Sequence, residues 1–86
     1  MSTNEIVCGL KSASGVIIRG ITRHAEERIF TRGLLIDELV DLIINARIIY
    51  PDRNPSRICQ QDGNWKLVIE RETGYIVTVI KLGSKG

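Results

Sequence analysis

Histidine, tryptophan and phenylalanine each occur once in this chain and tyrosine twice, so aromatics make up 5% of its 86 residues. A single histidine, His24, excludes any site built on a pair of catalytic histidines. No run interleaves aromatic with basic residues, so Tyr50 and Trp65 read as core or rim aromatics of a small sheet before they read as platforms for stacked bases. Cysteine is equally sparse. Cys8 and Cys59 form no C-x-x-C pair, and the expectation is two buried free thiols, with one disulfide as the alternative. A zinc site would require His24, both cysteines and a carboxylate to converge, so the chain is expected to work without metal or cofactor. No apolar run reaches the ~18–20 residues of a membrane span, because Asp37, Glu38 and Asp41 interrupt the most hydrophobic stretch. Met1–Glu5 carries no basic cluster ahead of an apolar core, so it is not read as a signal peptide. A glycine-rich phosphate loop and a paired-carboxylate signature are also missing.

What remains is ordinary for a small soluble domain: 43% hydrophobic and 26% charged residues, enough for one compact unit. The net charge of +2 is divided unevenly. Residues 1–43 carry five basic and six acidic side chains, residues 44–86 seven and four. Eight of the twelve basic residues are arginine, the side chain that forks onto phosphates. That points toward an anionic partner, although +2 is far below the basicity of a domain that holds nucleic acid by charge alone.

The pattern along the chain predicts an α+β fold: two N-terminal helices packed on a four-stranded, mostly antiparallel sheet, preceded by a short β-hairpin. The hairpin is expected from the apolar stretches Glu5–Leu10 and Gly15–Ile21, separated by the turn-like Lys11-Ser-Ala-Ser-Gly15. Thr22 then caps a helix that runs through Phe30 and is stopped by Gly33. A second helix over about Leu35–Ala46 sets Ile36, Leu39, Val40, Ile43 and Ile44 on one face. Strands follow at Arg47–Tyr50, Ser56–Gln61, Trp65–Arg71 and Tyr75–Lys81, with Asp62-Gly63 and Glu72-Thr-Gly74 as tight turns. The single domain divides into an N-terminal extension at 1–20, a core at 21–82 and a flexible tail at 83–86.

His24, Arg28 and Arg32 recur at i, i+4 and i+8, so they share roughly one helix face beside the apolar Ala25 and Ile29. Such a face can carry a base next to two phosphate-gripping arginines, or it can be a solvated face balanced by Glu26 and Glu27. Arg57 follows a loop that contains Arg53, and it reads either as a phosphate ligand or as a cross-strand partner. On Tyr75–Lys81, simple alternation puts Ile76, Thr78 and Ile80 on one side and Tyr75, Val77, Val79 and Lys81 on the other. Both sides are largely apolar, as in a strand covered on both faces, with Thr78 as a protected polar group.

The ordered combination of His24-x-x-x-Arg28-x-x-x-Arg32-Gly33, an apolar–acidic helix, a strand with Arg57, and Thr73-Gly74-x-Ile76-Val77-Thr78-Val79 resembles a bacterial domain family found alone and at the C-termini of secreted polymorphic toxins. That family is similar to the barnase–EndoU–colicin–RelE group of small ribonucleases, which includes modules of contact-dependent growth inhibition toxins. The resemblance covers about residues 20–81. Leu35 stands where the family usually has a Ser or Thr cap, and Tyr75 replaces the usual Lys of the Thr-Gly-Lys turn.

The resemblance implies a metal-independent endoribonuclease directed at RNA, often tRNA. It would act in the bacterial cytoplasm after delivery as part of a larger protein, and a cognate immunity protein would neutralise it. Under it, His24 is the general base or acid, Arg28 and Arg57 stabilise the phosphorane, and Thr78 bonds a phosphate oxygen or orients His24. Arg32, Arg53, Tyr50 and Lys81 are the flanking residues assigned to substrate. The rival expectation is a non-catalytic module of the same fold that binds RNA or a protein, and a third is a toxin with another target.

Overall fold

A computed structural model describes residues 2–83, so of the expected tail only Gly83 lies within the described residues. The order of elements is α1 (Thr3–Val7), β1 (Gly20–Ile21), α2 (Arg23–Arg32), α3 (Ile36–Ile44), β2 (Ile48–Pro51), β3 (Arg57–Asp62), β4 (Trp65–Glu70) and β5 (Tyr75–Lys81). The fold is α+β, with three helices and one five-stranded sheet in the order β1-β5-β4-β3-β2. The sheet is mixed, because β1 runs parallel to β5 while the other pairs are antiparallel.

The N-terminus corrects the expected hairpin. Glu5 belongs to a helix because Ser2 and Glu5 cap it reciprocally. The Glu5 amide donates to Ser2 Oγ at 3.2 Å, and the Ser2 amide donates to Glu5 Oε1 at 3.0 Å. The turn expected at Lys11–Gly15 is present, but a single antiparallel bridge, Lys11 to Ile17, is all that remains of strand pairing across it. Only Gly20 and Ile21 join the sheet, at the free edge of β5, opposite Tyr75 and Ile76.

The next helix starts and stops at the expected signals. Thr22 Oγ1 accepts the Ala25 amide at 3.2 Å, while Gly33 adopts φ = 74° and Leu34 N–H reaches back to the Ile29 carbonyl at 3.0 Å. At α3, Leu35 has no side-chain acceptor, so only half of a capping box forms, with Glu38 Oε1 accepting the Leu35 amide at 3.0 Å. The apolar stripe of α3 buries Leu39, Leu42 and Ile43 against the sheet, and Ile44 stays exposed. Each fully buried aliphatic side chain of this kind contributes about 1.5–3 kcal/mol.

One core cluster joins Ala25 and Ile29 of α2, the α3 stripe, and Leu67, Ile69, Ile76 and Val79 of the sheet. Helices α2 and α3 therefore lie over one face, while α1 adds Val7 to the same cluster and its Asn4 side chain bonds the backbone of Ile21 in β1. The same face takes Gln60, which is fully buried with all its polar atoms bonded: Nε2 donates to the carbonyls of Leu42 and Ile43 at the end of α3, and Oε1 accepts the Ser14 amide. On β5 the alternation expected from sequence is broken. The register passes from Val68↔Thr78 to Ile69↔Ile76, so Val77 is the extra residue of a bulge. Ile76 and Val79 consequently share the buried face, and Thr78 and Ile80 occupy the other.

Candidate functional site

The face of the sheet opposite the helices gathers three of the polar side chains singled out from sequence, Tyr50, Arg57 and Thr78. Register and two-residue alternation define its rows. One row crosses the sheet as Tyr50, Cys59, Val68 and Thr78; the next holds Ile48, Gln61, Lys66 and Ile80; Arg57 and Glu70 stand beyond Cys59 and Val68. Cys59 and Val68 are buried yet lie outside the core cluster, so their neighbours on this face cover them. Ile48 and Ile80 are exposed. Thr78 is thus half-buried on a face with no helix over it among the described residues, rather than sandwiched between two covered faces.

Tyr50 is held in place from two directions. Its hydroxyl donates to Gln61 Oε1 at 3.3 Å, and Lys66 Nζ sits 5.5 Å from its ring centroid. Arg57 Nε donates to Glu70 Oε1 at 3.2 Å in a partly exposed ion pair, so its charge is half answered within the sheet. Between β2 and β3, the Cys59 thiol donates to Asp52 Oδ1 at 3.6 Å. Burial pushes the Cys59 thiol up, opposed by Lys66 and reinforced by the adjacent carboxylate. At Asp52 burial also acts upward, but the amides of Asn54 and Arg53, the thiol and the Lys66 charge outweigh it and leave the carboxyl below its ordinary value. Cys8, by contrast, is exposed, which corrects the expectation of two buried thiols, and both cysteines are free.

His24 and Arg28 are carried by a different layer. His24 lies in the first turn of α2 and is exposed; Arg28 is half-buried one turn later, and Arg32 is exposed at the end. The two layers meet along β5. The Thr22 amide donates to the Ile76 carbonyl at 3.0 Å and the Thr22 hydroxyl to the Val77 carbonyl at 3.3 Å, which pins the start of α2 beside the stretch of β5 that bears Thr78. Among the described residues, no hydrogen bond or ion pair joins any two of His24, Arg28, Arg57 and Thr78. Strand β4 separates Arg57 from Thr78, about 10 Å across the sheet with two residues of further offset, so they do not reach one atom from their backbones alone.

The remaining sequence candidates divide likewise. Tyr50 belongs to the open face, and Arg53 is exposed in the loop at its end. Lys81 pairs with Trp65 on the helix-covered side, its Nζ 5.7 Å from the indole, away from Arg57. Lys66, Gln61, Asp52 and Glu70 were not singled out from sequence, yet they frame the open face. The strict alternation Trp65-Lys66-Leu67 was the available sign for Lys66, but its partners depend on register. A cavity of about 620 Å³ lies elsewhere: Phe30 and Leu35 line it with Glu26 and Glu27, and none of the named site residues does. No group of three His, Cys, Asp or Glu side chains is placed to hold a metal among the described residues. No described helix is long and apolar enough to cross a membrane.

The arrangement offers cations and an aromatic on an open sheet face, and one exposed imidazole in the helix layer beside β5. Comparison with protein-family models, with curated proteins and with solved structures finds no match to this chain.

Proposed function

We propose that this chain is a metal-independent endoribonuclease domain of the toxin type, acting on RNA and on tRNA in particular. The observation that carries the reading is the anchoring of Thr22 to Ile76 and Val77, because it holds the helical turn bearing His24 against the strand segment bearing Thr78. His24 is the chain's one imidazole, and at that edge it is solvent-accessible for a substrate to approach.

In this reading the RNA strand lies over the open face, its phosphates toward Arg57 and Lys66 and a base against Tyr50. His24 takes the proton of a ribose 2′-OH, the freed O2′ attacks the adjacent phosphorus, and the P–O5′ bond breaks. The products are a 2′,3′-cyclic phosphate and a 5′-OH that has taken up a proton from solvent. Arg28 stabilises the charge that builds on the phosphorane, Thr78 donates to one of its oxygens, and Arg57, once drawn off Glu70, holds a neighbouring phosphate of the strand. A positioned base supplies typically ~10²–10⁴-fold, and charge stabilisation supplies much of the rest. A cognate immunity protein would bind over this surface.

A second reading, a non-catalytic RNA-binding module, draws on a specific observation: Arg57 is already paired with Glu70, and nothing bonds His24 to Thr78. Incubation of the protein with total bacterial RNA in EDTA, beside His24→Ala, separates the two. Discrete fragments ending in cyclic phosphate, absent with the variant, support the nuclease. Intact RNA that is nevertheless retained by both proteins sinks it in favour of binding.

A further inference from the structure

We propose that the turn between β4 and β5 and the segment leading into β1 form an oxyanion site for a phosphate group, held by Arg19, Arg71 and Thr73. These residues line a cavity of about 340 Å³ at the end of the sheet, together with Glu72 and Gly74. Both arginines are exposed, and the only ion pair among the described residues is Arg57–Glu70, so both guanidinium groups are free to bind. Thr73 Oγ1 accepts the Tyr75 amide at 3.3 Å, which leaves its O–H to donate outward.

The backbone under these side chains is fixed. The Arg19 amide donates to the Gly74 carbonyl at 2.8 Å, and the Arg71 amide donates to the Ser56 carbonyl at 2.8 Å. Gly74 has φ = 76°, and a Cβ there would stand 2.5 Å from the Ile17 carbonyl oxygen and 2.7 Å from Arg19 Cγ. The missing side chain lets the Arg19 stem lie directly against the turn, so that two arginines from distant parts of the chain line one cavity. Guanidinium forks match the oxygens of a phosphate, and a hydroxyl donor completes the set. Glu72 on the cavity wall reduces the local charge to a single net positive unit, enough for a monoanion.

Neither arginine belongs to the surface proposed above for His24, so the site stands or falls independently of cleavage. The ligand is a phosphate ester or free phosphate. Amide ¹H–¹⁵N spectra of the full chain, titrated with inorganic phosphate and separately with an RNA pentamer lacking terminal phosphates, provide the test. Saturable shifts at Thr73 and Gly74 are expected with phosphate, weaker by about tenfold or more in Arg19→Gln/Arg71→Gln. Tightening of about two- to five-fold is expected in Glu72→Gln. Shifts with the pentamer as well identify a backbone phosphodiester as a ligand, and shifts with phosphate alone identify a small or terminal phosphate. The proposal is overturned if neither probe shifts these amides, or if a double variant with a native-like, dispersed spectrum responds as the wild type does.

Discussion

Gln60 Oε1 accepts the backbone N–H of Ser14 at 3.0 Å, tying a buried strand residue to a loop 46 positions earlier. The same side chain donates to the Leu42 and Ile43 carbonyls at the end of α3, two of the acceptors that a helix C-terminus leaves without intrahelical partners. One amide thus joins the N-terminal segment, the helix layer and the sheet. Gln60→Leu would keep the volume and strand the Ser14 amide and the Leu42 carbonyl, while the Ile43 carbonyl would keep the Ala13 amide. At about 1–3 kcal/mol for each of the two stranded groups, the expected loss is about 2–6 kcal/mol. Urea denaturation measures it, and a loss under 1 kcal/mol would show that the loop simply lets go.

Much of the helix layer was legible from local signals. Thr22 and Gly33 bracket α2 because a cap acceptor and a left-handed stop act within a few residues, and the spacing of Leu39 and Ile43 declares α3 by itself. The three-stranded meander β3-β4-β5 follows from short turns. What escaped was either too short or too distant. Five residues of α1 carry no usable period, although Ser2 and Glu5 stand at capping-box spacing. The parallel pairing of Gly20 and Ile21 with β5 joins residues some 55 apart and leaves no local trace. The bulge at Val77 is invisible to alternation, since one extra residue reverses the sides of everything beyond it. Arg57 opposite Glu70 was derivable from the two-residue loop Gly63–Asn64. That Thr78 faces away from the helices depended on the bulge.

Two glycines test how closely the turn at β5 is built. Gly33 and Gly74 have nearly equal positive φ, 74° and 76°, but a Cβ at Gly33 would meet nothing within 4 Å whereas one at Gly74 would strike the Ile17 carbonyl. Gly33→Ala is therefore expected to cost about 1–2 kcal/mol, the left-handed penalty alone. Gly74→Ala adds a backbone collision that no side-chain rotation relieves, and its loss should exceed that of Gly33→Ala by 1 kcal/mol or more. Thermal unfolding of the two variants side by side reads the difference; equal losses would mean that the Ile17–Arg19 segment moves aside freely.

The Asp52–Cys59 contact sets two pH limits. The Asp52 carboxyl is lowered, so its contribution to stability is fully present above its ordinary unfolded value of about 3.8 and is lost as pH falls through the lower folded value. The Cys59 thiol is raised, so its contribution is fully present below the ordinary unfolded value of about 9.0 and is lost as pH rises through the higher folded value. Cys59→Ser should flatten the alkaline limb of a stability–pH curve. Under native conditions a thiol reagent should modify Cys8 quickly and leave Cys59 protected until unfolding. Equal reactivity at the two positions would contradict the burial of Cys59.

Glu70 competes with any anion for Arg57. The pair is partly exposed, so breaking it should change stability by less than about 1 kcal/mol. If RNA phosphates take Arg57 during binding, Glu70→Gln removes a competitor and an acidic charge from the open face, and affinity for single-stranded RNA should rise severalfold. Arg57→Ala should weaken binding and reduce the slope of log affinity against log salt by about 0.7, one phosphate contact's share on a single strand. Fluorescence anisotropy over a salt series reports both numbers on proteins whose unfolding midpoints match. Glu70→Gln without effect, together with an unchanged slope for Arg57→Ala, would take the open face out of RNA recognition and leave Glu70–Arg57 as a cross-strand pair alone.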